Sequence, residues 1–321
     1  MTASFLRRVR VAEVEPVAAR IKRFRLVSAD NSVPLSEFSG GSHITVAMHA
    51  PDRLIRNPYS LMGSPTDTSS YQISVLKCEE SRGGSHFMHD KVTVGTELEI
   101  SEPLNLFPPA KIARKHILIA GGIGITPFMS MMSELEQLDV NFELHYGVRS
   151  LYDGAFCKLL EQRYGSRIHL YFQDEGQLVP LERVLSNQPL GSHVYVCGPK
   201  GMIDWVLRTA TLAGWPAENI HSEQFSAPPA GKPFTVKLAR SAREMTVGSH
   251  QSILEALEQN GIDAPFLCRG GACGQCETGV SSCDGFIEHN DHYLSEAEKA
   301  AGRKIMLCVS RISGNALTLD L

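Results

Sequence analysis

The sequence predicts a multidomain protein in which an antiparallel β-barrel, an α/β domain with a parallel sheet and a small α+β domain follow one another. Short alternating strands separated by Gly, Pro, Ser and Asp occupy residues 5–101. From residue 116 onward, buried strand runs alternate with helical stretches, and after SAPPAGKP at 226–233 the chain becomes rich in cysteine. These patterns are typical of the three domain types. We expect domains at 1–110, 111–227 and 228–321.

The composition is ordinary for a soluble globular protein. Of the 321 residues, 43% are hydrophobic and 21% are charged, and the net charge of -4 argues against nucleic-acid binding. The sequence has no apolar run close to the roughly 18 residues of a membrane helix, and its first residues lack the apolar core of a secretory signal. Eight cysteines are too few for a disulfide scaffold in a chain of this length. We therefore expect a cytoplasmic protein without a membrane partner.

In the first domain, RNPYSLMG at 56–63 places Tyr59 and Ser60 on a predicted strand. An aromatic ring can lie against an isoalloxazine, and a serine hydroxyl can hydrogen-bond its reactive edge. Further along, Gly83, Gly84 and Ser85 precede a predicted helix, whose free N–H groups favour an anion. Barrel packing of the tyrosine and an ordinary turn explain the same residues, and this pattern taken alone favours that interpretation.

The second domain opens with HILIAGGIGITPFMSMM, a strand that passes through a glycine turn into a helix. Gly122 and Gly124 allow the backbone to approach a phosphate, Thr126 offers a hydroxyl, and the helix N-terminus favours a dinucleotide pyrophosphate. A tight turn without a ligand is the alternative, since the third glycine of the dinucleotide fingerprint is absent.

A second turn favours the dinucleotide, because both turns follow strands of a parallel sheet and ligands bind beyond the carboxyl ends of such strands. Cys197 then faces either a nicotinamide ring or the core. The second turn and the helix after it contribute Cys197, Gly198, Pro199 and Met202.

Four cysteines of the last domain have the spacing of a plant-type [2Fe–2S] site. The pattern is C-x4-C-x2-C followed by a solitary cysteine, and its members are Cys268, Cys273, Cys276 and Cys308. The glycine-rich loop lets the backbone aim N–H groups at sulfur. A structural zinc site usually pairs its cysteines in two short knuckles, which this spacing does not match. The thiols of Cys78, Cys157 and Cys283 are interpreted as ordinary ones.

Y-S-L, R-G-G-S, G-G-I-G-I-T-P, C-G-P and the cysteine pattern follow in this order along nearly the whole chain, and together they resemble the phthalate dioxygenase reductase family. The resemblance implies an FMN-binding barrel, an NADH-binding domain related to ferredoxin–NADP reductase, and a plant-type ferredoxin domain of the β-grasp type. It also implies the reductase component of a Rieske non-haem iron oxygenase, which receives electrons from NADH through FMN and the cluster. Because cofactors carry this chemistry, we predict no catalytic acid, base or nucleophile.

The resemblance also implies which residues hold the flavin. Thr126 would touch the cofactor at the domain junction, and Phe225 matches an aromatic residue near the flavin. Contacts with the ring are implied for Tyr59, Ser60, Ser74, Val75 and Leu76. Contacts with the phosphate are implied for the turn formed by Arg82, Gly83, Gly84 and Ser85.

One position departs from the family. The usual motif has an arginine two residues before the tyrosine, where this chain has Asn57, and Arg56 stands one place earlier. Because strand side chains alternate between faces, we expect Arg56 to point away from the flavin unless a bulge redirects it, so either residue is a candidate for the contact. Asn-x-Tyr-Ser-Leu, with EPLNLFP, ELHY and IHSEQF, is similar to the carnitine monooxygenase reductase subgroup. That similarity favours a carnitine monooxygenase as partner.

Two alternative functions stay open from the sequence. The electrons could serve an aromatic-acid oxygenase acting on phthalate or phenoxybenzoate, since the terminal oxygenase is another polypeptide. A non-enzymatic iron–sulfur carrier or redox sensor would use the cluster alone, but it would leave the glycine turn, C-G-P and Tyr-Ser-Leu unexplained. Recognition of the 2′-phosphate of NADPH favours positive charge after the second strand of the nucleotide domain, where this chain has one arginine, Arg149, and one acid, Asp153. These two charges do not decide between the cofactors, and the resemblance implies NADH.

Overall fold

The computed structural model describes residues 6–51, 53–79, 81–225 and 230–321. Part of the predicted linker, at 226–229, lies outside the described residues. The chain divides into two compact units, of which the first ends at Gln224 and the second begins at Phe225. The first unit carries an antiparallel sheet and a parallel sheet, and the second carries a smaller mixed sheet. The finer division into domains 1–110, 111–227 and 228–321 stays a prediction.

Six antiparallel strands form the first sheet: β1 (Arg7–Ala18), β2 (Ile21–Ser28), β3 (His43–His49), β4 (Leu54–Ser60), β5 (Tyr71–Leu76) and β6 (Glu97–Ile100). Helix α1 (Gly84–Asp90) connects β5 to β6. The strand order is β4-β3-β6-β1-β2-β5. A bridge between Met62 and Gln72 joins the segment after β4 to β5, so the strands close into a barrel. Alternate residues such as Val9 and Val11 are fully buried inside it.

Five parallel strands form the second sheet: β7 (Lys115–Gly121), β8 (Phe142–Val148), β9 (Ile168–Phe172), β10 (Ser192–Cys197) and β11 (Ile220–Glu223), in the order β11-β10-β7-β8-β9. Its helices are α2 (Thr126–Gln137), α3 (Cys157–Tyr164), α4 (Leu181–Leu185) and α5 (Lys200–Leu212). Separate apolar clusters cover the two faces, which explains why β7 is an almost continuous apolar run. The chain leaves β7 and β10 toward opposite sides of the sheet, so a crevice opens at their carboxyl ends.

The second unit contains seven strands and two helices among its described residues: β12 (Phe234–Leu238), β13 (Glu244–Val247), α6 (Ile253–Gln259), β14 (Glu277–Cys283), β15 (Ile287–Glu288), α7 (Glu296–Ala301), β16 (Lys304–Met306), β17 (Arg311–Ile312) and β18 (Ala316–Leu319). Five of these strands form the third sheet, in the order β13-β12-β18-β14-β16, and β15 and β17 form a separate pair. Both helices begin with a capping box, at Ser252 with Glu255 and at Ser295 with Glu298.

These three sheets confirm the predicted fold class of antiparallel barrel, parallel-sheet α/β region and α+β ferredoxin-like region. Among the described residues, the helices are too short or too polar to cross a bilayer.

Candidate functional site

Two of the predicted cluster ligands meet where β14 and β16 pair. Cys276 directly precedes β14, and Cys308 follows β16 by two residues. The antiparallel pairing of Glu277 with Met306 therefore brings the two cysteines together, and their Sγ atoms lie 3.3 Å apart. Both residues are buried.

Cys268 and Cys273 complete the set from the loop before β14. The sulfur of Cys268 accepts the N–H of Gly270 at 3.4 Å. Hydrogen bonds from the thiols of Cys273 and Cys308 lower the pKa of Cys268. The bond between Cys273 and Cys268 raises the pKa of Cys273. Four sulfur atoms thus converge in one place, with a backbone N–H aimed at one of them, and this donor set fits a [2Fe–2S] cluster.

The cluster loop is anchored to helix α6 by a buried ion pair. The guanidinium of Arg269, the residue after the first ligand, donates two hydrogen bonds to the carboxylate of Glu258. The same guanidinium lies over the ring of Phe266, 4.1 Å from its centre. A bidentate pair fixes orientation as well as distance, so these contacts hold the backbone of the loop in place beside the sulfur atoms.

The candidate flavin residues of β4 alternate between its two faces. β4 pairs with β3 in unbroken register from Leu54 to Ser60, so Asn57 and Tyr59 share one face and Arg56 lies on the other. The Asn57 amide donates to the Tyr59 hydroxyl at 3.5 Å. Burial raises the pKa of Tyr59 to about 12, so its hydroxyl stays protonated. Ser60, the next residue, is buried. Of the two candidates for the flavin contact, the alternation therefore favours Asn57.

The structure brings the turn at 82–85 against this face of β4. A Cβ at Gly84 would stand 2.2 Å from the Asn57 amide nitrogen, so a larger residue here would push the Asn57 side chain aside. The backbone carbonyl of Arg82 accepts a hydrogen bond from Arg53, and the hydroxyl of Ser85 accepts the N–H of Cys78 at 3.2 Å. The predicted ring contacts and the predicted phosphate turn, which includes Gly83, are therefore neighbours in the fold.

Strand β5 offers a buried hydroxyl with no partner. The Ser74 side chain is buried, and its Oγ has no hydrogen-bond partner within the part of the chain that the structure describes. The adjacent Val75 carbonyl accepts a hydrogen bond from His89 of α1 at 2.8 Å, and Leu76 ends the strand half-buried. Buried polar atoms are nearly always paired in native proteins. An unpaired hydroxyl beside the candidate flavin residues fits a polar cofactor that supplies the missing partner.

The two nucleotide turns lie side by side. Ala120 of β7 pairs with Cys197 of β10, which brings the turns after these strands together. A Cβ at Gly124 would stand 2.2 Å from the Cys197 carbonyl oxygen, so only glycine allows this approach. Pro199 and Met202 contact the first turn at Gly121, as does Gly198. Backbone this close at the carboxyl edge of a parallel sheet fits a dinucleotide.

Three predicted residues have more limited contacts. The buried Thr126 hydroxyl donates to the Ile123 carbonyl at 3.0 Å within its own turn. Gly122 has a positive φ of 54° in that turn, where a Cβ would meet no neighbour. Phe225, at the start of the second unit, is 49% exposed. The roles assigned to these residues stay predictions.

The sequence patterns did not predict a role for Glu223. This residue pairs with Cys197 across β10 and β11, and its carboxyl oxygen Oε2 is buried without a hydrogen bond to any described residue. Burial raises the pKa of Glu223 to about 8, and burial together with the charge of Glu223 raises the pKa of Cys197 well above its usual value. The available signal was a lone acid in the last strand, IHSEQF, of the parallel sheet.

Two protein families match parts of the chain. Residues 236–313 match the 2Fe-2S iron-sulfur cluster binding domain. Residues 103–220 match the family described as dimethylamine monooxygenase subunit DmmA-like, N-terminal domain. The first match covers all four candidate cluster cysteines, and the second covers both nucleotide turns.

Full-length relatives extend the match to nearly the whole chain. A carnitine monooxygenase reductase subunit from Acinetobacter baumannii is 47% identical over 97% of this chain and 96% of its own length. The heme-dependent oxidative N-demethylase beta subunit of Ectopseudomonas mendocina is 42% identical over 98% of each chain. The solved structure of phthalate dioxygenase reductase is 34% identical, covers 99% of this chain and 98% of its own, and superposes with a TM-score of 0.89.

The predicted fold and the interpretation as an oxidoreductase are confirmed by these relatives. They also agree with the predicted cofactors, which are FMN, NADH and a [2Fe–2S] cluster. Because the relatives match the barrel and the parallel sheet as well as the cysteine loop, they favour a reductase over a carrier that uses the cluster alone. The chain belongs to the phthalate dioxygenase reductase family of oxygenase reductases.

Proposed function

We propose that this chain is the reductase component of a two-component Rieske non-haem iron oxygenase and that its partner is a carnitine monooxygenase. The observation that carries the proposal is the convergence of four cysteine sulfurs in a chain that also holds the two nucleotide turns and the Asn57–Tyr59 face. Relatives that are 43–47% identical over nearly their full length carry the name carnitine monooxygenase reductase subunit.

When bound, FMN supplies the conversion of a two-electron hydride from NADH into single electrons that the cluster can accept. The chain's own residues position the reactants. The turns at Gly124 and Cys197 lie against each other, and their backbone would hold the nucleotide at the carboxyl edge of the sheet. The Ser74 hydroxyl and the Asn57 amide offer hydrogen bonds to the flavin.

At the nicotinamide end of the crevice, the chain keeps charge low. With a pKa of about 8, Glu223 holds its proton at pH 7, and Cys197 beside it stays a neutral thiol. The pair therefore adds no negative charge beside the position that we assign to the nicotinamide ring.

A haem-dependent oxygenase is the second candidate partner. The 42% identity with the heme-dependent oxidative N-demethylase beta subunit supports it. An aromatic-acid oxygenase has weaker support, since a phenoxybenzoate dioxygenase beta subunit is 38% identical over 89% of this chain.

The experiment mixes the purified, cofactor-loaded chain and NADH with each oxygenase component and its substrate. The oxygenase component of carnitine monooxygenase is compared with the haem subunit of an oxidative N-demethylase and with a phthalate dioxygenase oxygenase. We expect NADH oxidation to be coupled stoichiometrically to carnitine consumption. If only the haem subunit gives coupled turnover with this chain, the partner is a haem-dependent oxygenase. If only the phthalate dioxygenase oxygenase does, the partner belongs to the aromatic-acid class.

A further inference from the structure

Three side chains of types that can bind a metal ion meet on one face of the parallel sheet, away from the crevice described above. Glu143 and His145 lie two residues apart in the first half of β8, so they share a face of that strand. His169, near the start of β9, is the direct neighbour of His145 across the two strands. The nucleotide turns follow the carboxyl ends of β7 and β10, whereas this cluster lies toward the amino ends of β8 and β9.

His145 is held with one nitrogen directed at the cluster. The residue is only 5% exposed, and its Nδ1 lies 2.9 Å from the hydroxyl of Tyr171. Its Nε2 has no hydrogen-bond partner among the described residues and lies 3.4 Å from Oε1 of Glu143. A hydrogen bond that fixes one ring nitrogen while the other is left for an ion is the usual arrangement of a metal-binding histidine.

Glu143 has one oxygen engaged and one oxygen directed at the histidine. Its Oε2 forms an ion pair with Lys115 at 2.8 Å, which holds the carboxylate in position. Its Oε1 faces His145, with the Gln188 amide at the outer limit of hydrogen bonding, 3.5 Å away. An ion bound at Oε1 would therefore leave the ion pair with Lys115 in place.

His169 supplies the third donor from the solvent side. Its ring stacks on that of His145, with centroids 4.7 Å apart, and its side chain is exposed. One ligand atom from each of the three side chains lies within 4.8 Å of the other two. Because His169 is at the surface, its ring can rotate toward an ion without disturbing the core.

We propose that Glu143, His145 and His169 form a binding site for a divalent transition-metal ion of the zinc class. Two imidazole nitrogens and one carboxylate oxygen are donors that Zn²⁺, Ni²⁺ and Cu²⁺ accept, and a water molecule completes the coordination in open sites of this kind. The ion bridges β8 to β9, which is the edge strand of the sheet. The site is separate from the four cysteines, whose sulfurs are occupied in the cluster-loaded protein.

The experiment titrates Zn²⁺ into the oxidised, cluster- and flavin-loaded protein without an affinity tag, and calorimetry measures the binding. We expect one ion to bind per chain. In His169→Gln, which changes an exposed ring, the affinity should fall at least about tenfold. Glu143→Gln should have a similar effect. Unchanged flavin and cluster absorbance in each variant shows that it has folded.

The matched control is His221→Gln, because the Nε2 of His221 lies 2.8 Å from Nδ1 of His193 in a second close histidine pair of the same sheet. This variant should bind Zn²⁺ like the parent protein. Cu²⁺ provides a direct readout, since oxidised flavin and an oxidised [2Fe–2S] cluster give no EPR signal, and couplings to two imidazole nitrogens should fall to one in His169→Gln. Zn²⁺ affinity that His169→Gln leaves unchanged, or that His221→Gln removes instead, would overturn the proposal.

Discussion

The cluster loop and the flavin site differ in how far apart their residues lie in the sequence. Three of the four cysteines fall within nine residues, 268–276, and the pairing of β14 with β16 adds only Cys308. The flavin candidates come from β4, β5 and the turn before α1, and they meet through strand register and one close contact at Gly84. A site whose residues are close together in the chain can therefore be predicted from the sequence. A site whose residues meet through the pairing of strands can be identified only from the fold.

We expect the cluster site and the flavin site to function independently of each other. Cys273→Ser removes one cluster ligand, and even changes in the residues around a metal site cost about 10–100-fold in metal affinity. Electron transfer to the oxygenase should fall by at least about 100-fold, while NADH-to-flavin reduction stays close to that of the parent. Stopped-flow absorbance measures both steps. Cys283→Ser, which changes a cysteine outside the predicted ligand set, is the control.

Equal loss of both steps in Cys273→Ser would contradict the separation. It would show that the second unit is required to build the flavin site in the first.

Glu223 tests a site that is formed by strand register, because its burial depends on the pairing of β11 with β10. The unfolded chain releases this proton near pH 4.5, but the folded protein keeps it until about pH 8. Between these values Glu223 is protonated in the folded state and ionised in the unfolded state, so the contribution of Glu223 to stability falls as pH rises, by roughly 1 kcal/mol per pH unit. Glu223→Gln should flatten this dependence and raise stability at pH 8. Thermal unfolding from pH 5 to 8 measures it, and identical pH profiles would refute the assignment.

The glycine turn offers a paired test in which the two substitutions are chemically the same. A Cβ at Gly124 would clash with the Cys197 carbonyl at 2.2 Å, whereas Gly201 of α5 has open space around it. Gly124→Ala should cost about 1–3 kcal/mol of stability through overpacking and should raise KM for NADH. Gly201→Ala should leave KM unchanged and stabilise the helix by at most about 1 kcal/mol. Similar KM values for both variants would contradict the close approach of the two turns.

The smallest expected effect is at Ser74. Its hydroxyl has no partner among the described residues, so Ser74→Ala should leave the stability of the flavin-free protein unchanged. Affinity for FMN should fall by about tenfold at most, since a neutral hydrogen bond contributes about 0.5–1.5 kcal/mol. Fluorescence titration with FMN measures it, with Ser28→Ala on strand β2 as the control. A destabilised flavin-free protein with normal FMN affinity would show that the hydroxyl serves the fold instead.

Much of this molecule was predictable from local patterns. The four cysteines, the two glycine turns and the change from antiparallel to parallel strands each leave a pattern within a short stretch of sequence. The contact of Asn57 with Gly84 and the Ser74 hydroxyl, which is unpaired among the described residues, leave none, because each depends on which strand lies beside which. The buried Glu223 carboxyl leaves only the weak signal of a lone acid in the last strand of the parallel sheet. Arg56 is an intermediate case. Once β4 is recognised as a strand, alternation predicts that Arg56 and Asn57 lie on opposite faces.

The relay from NADH through flavin to the cluster is tested most directly by an anaerobic titration of the purified, cofactor-loaded chain with NADH, followed by visible absorbance and EPR. We expect NADH to bleach both the flavin bands and the cluster bands, and the EPR signal of a reduced [2Fe–2S] centre to develop. Protein that contains no flavin, or whose four cysteines hold zinc in place of iron and sulfide, would contradict it.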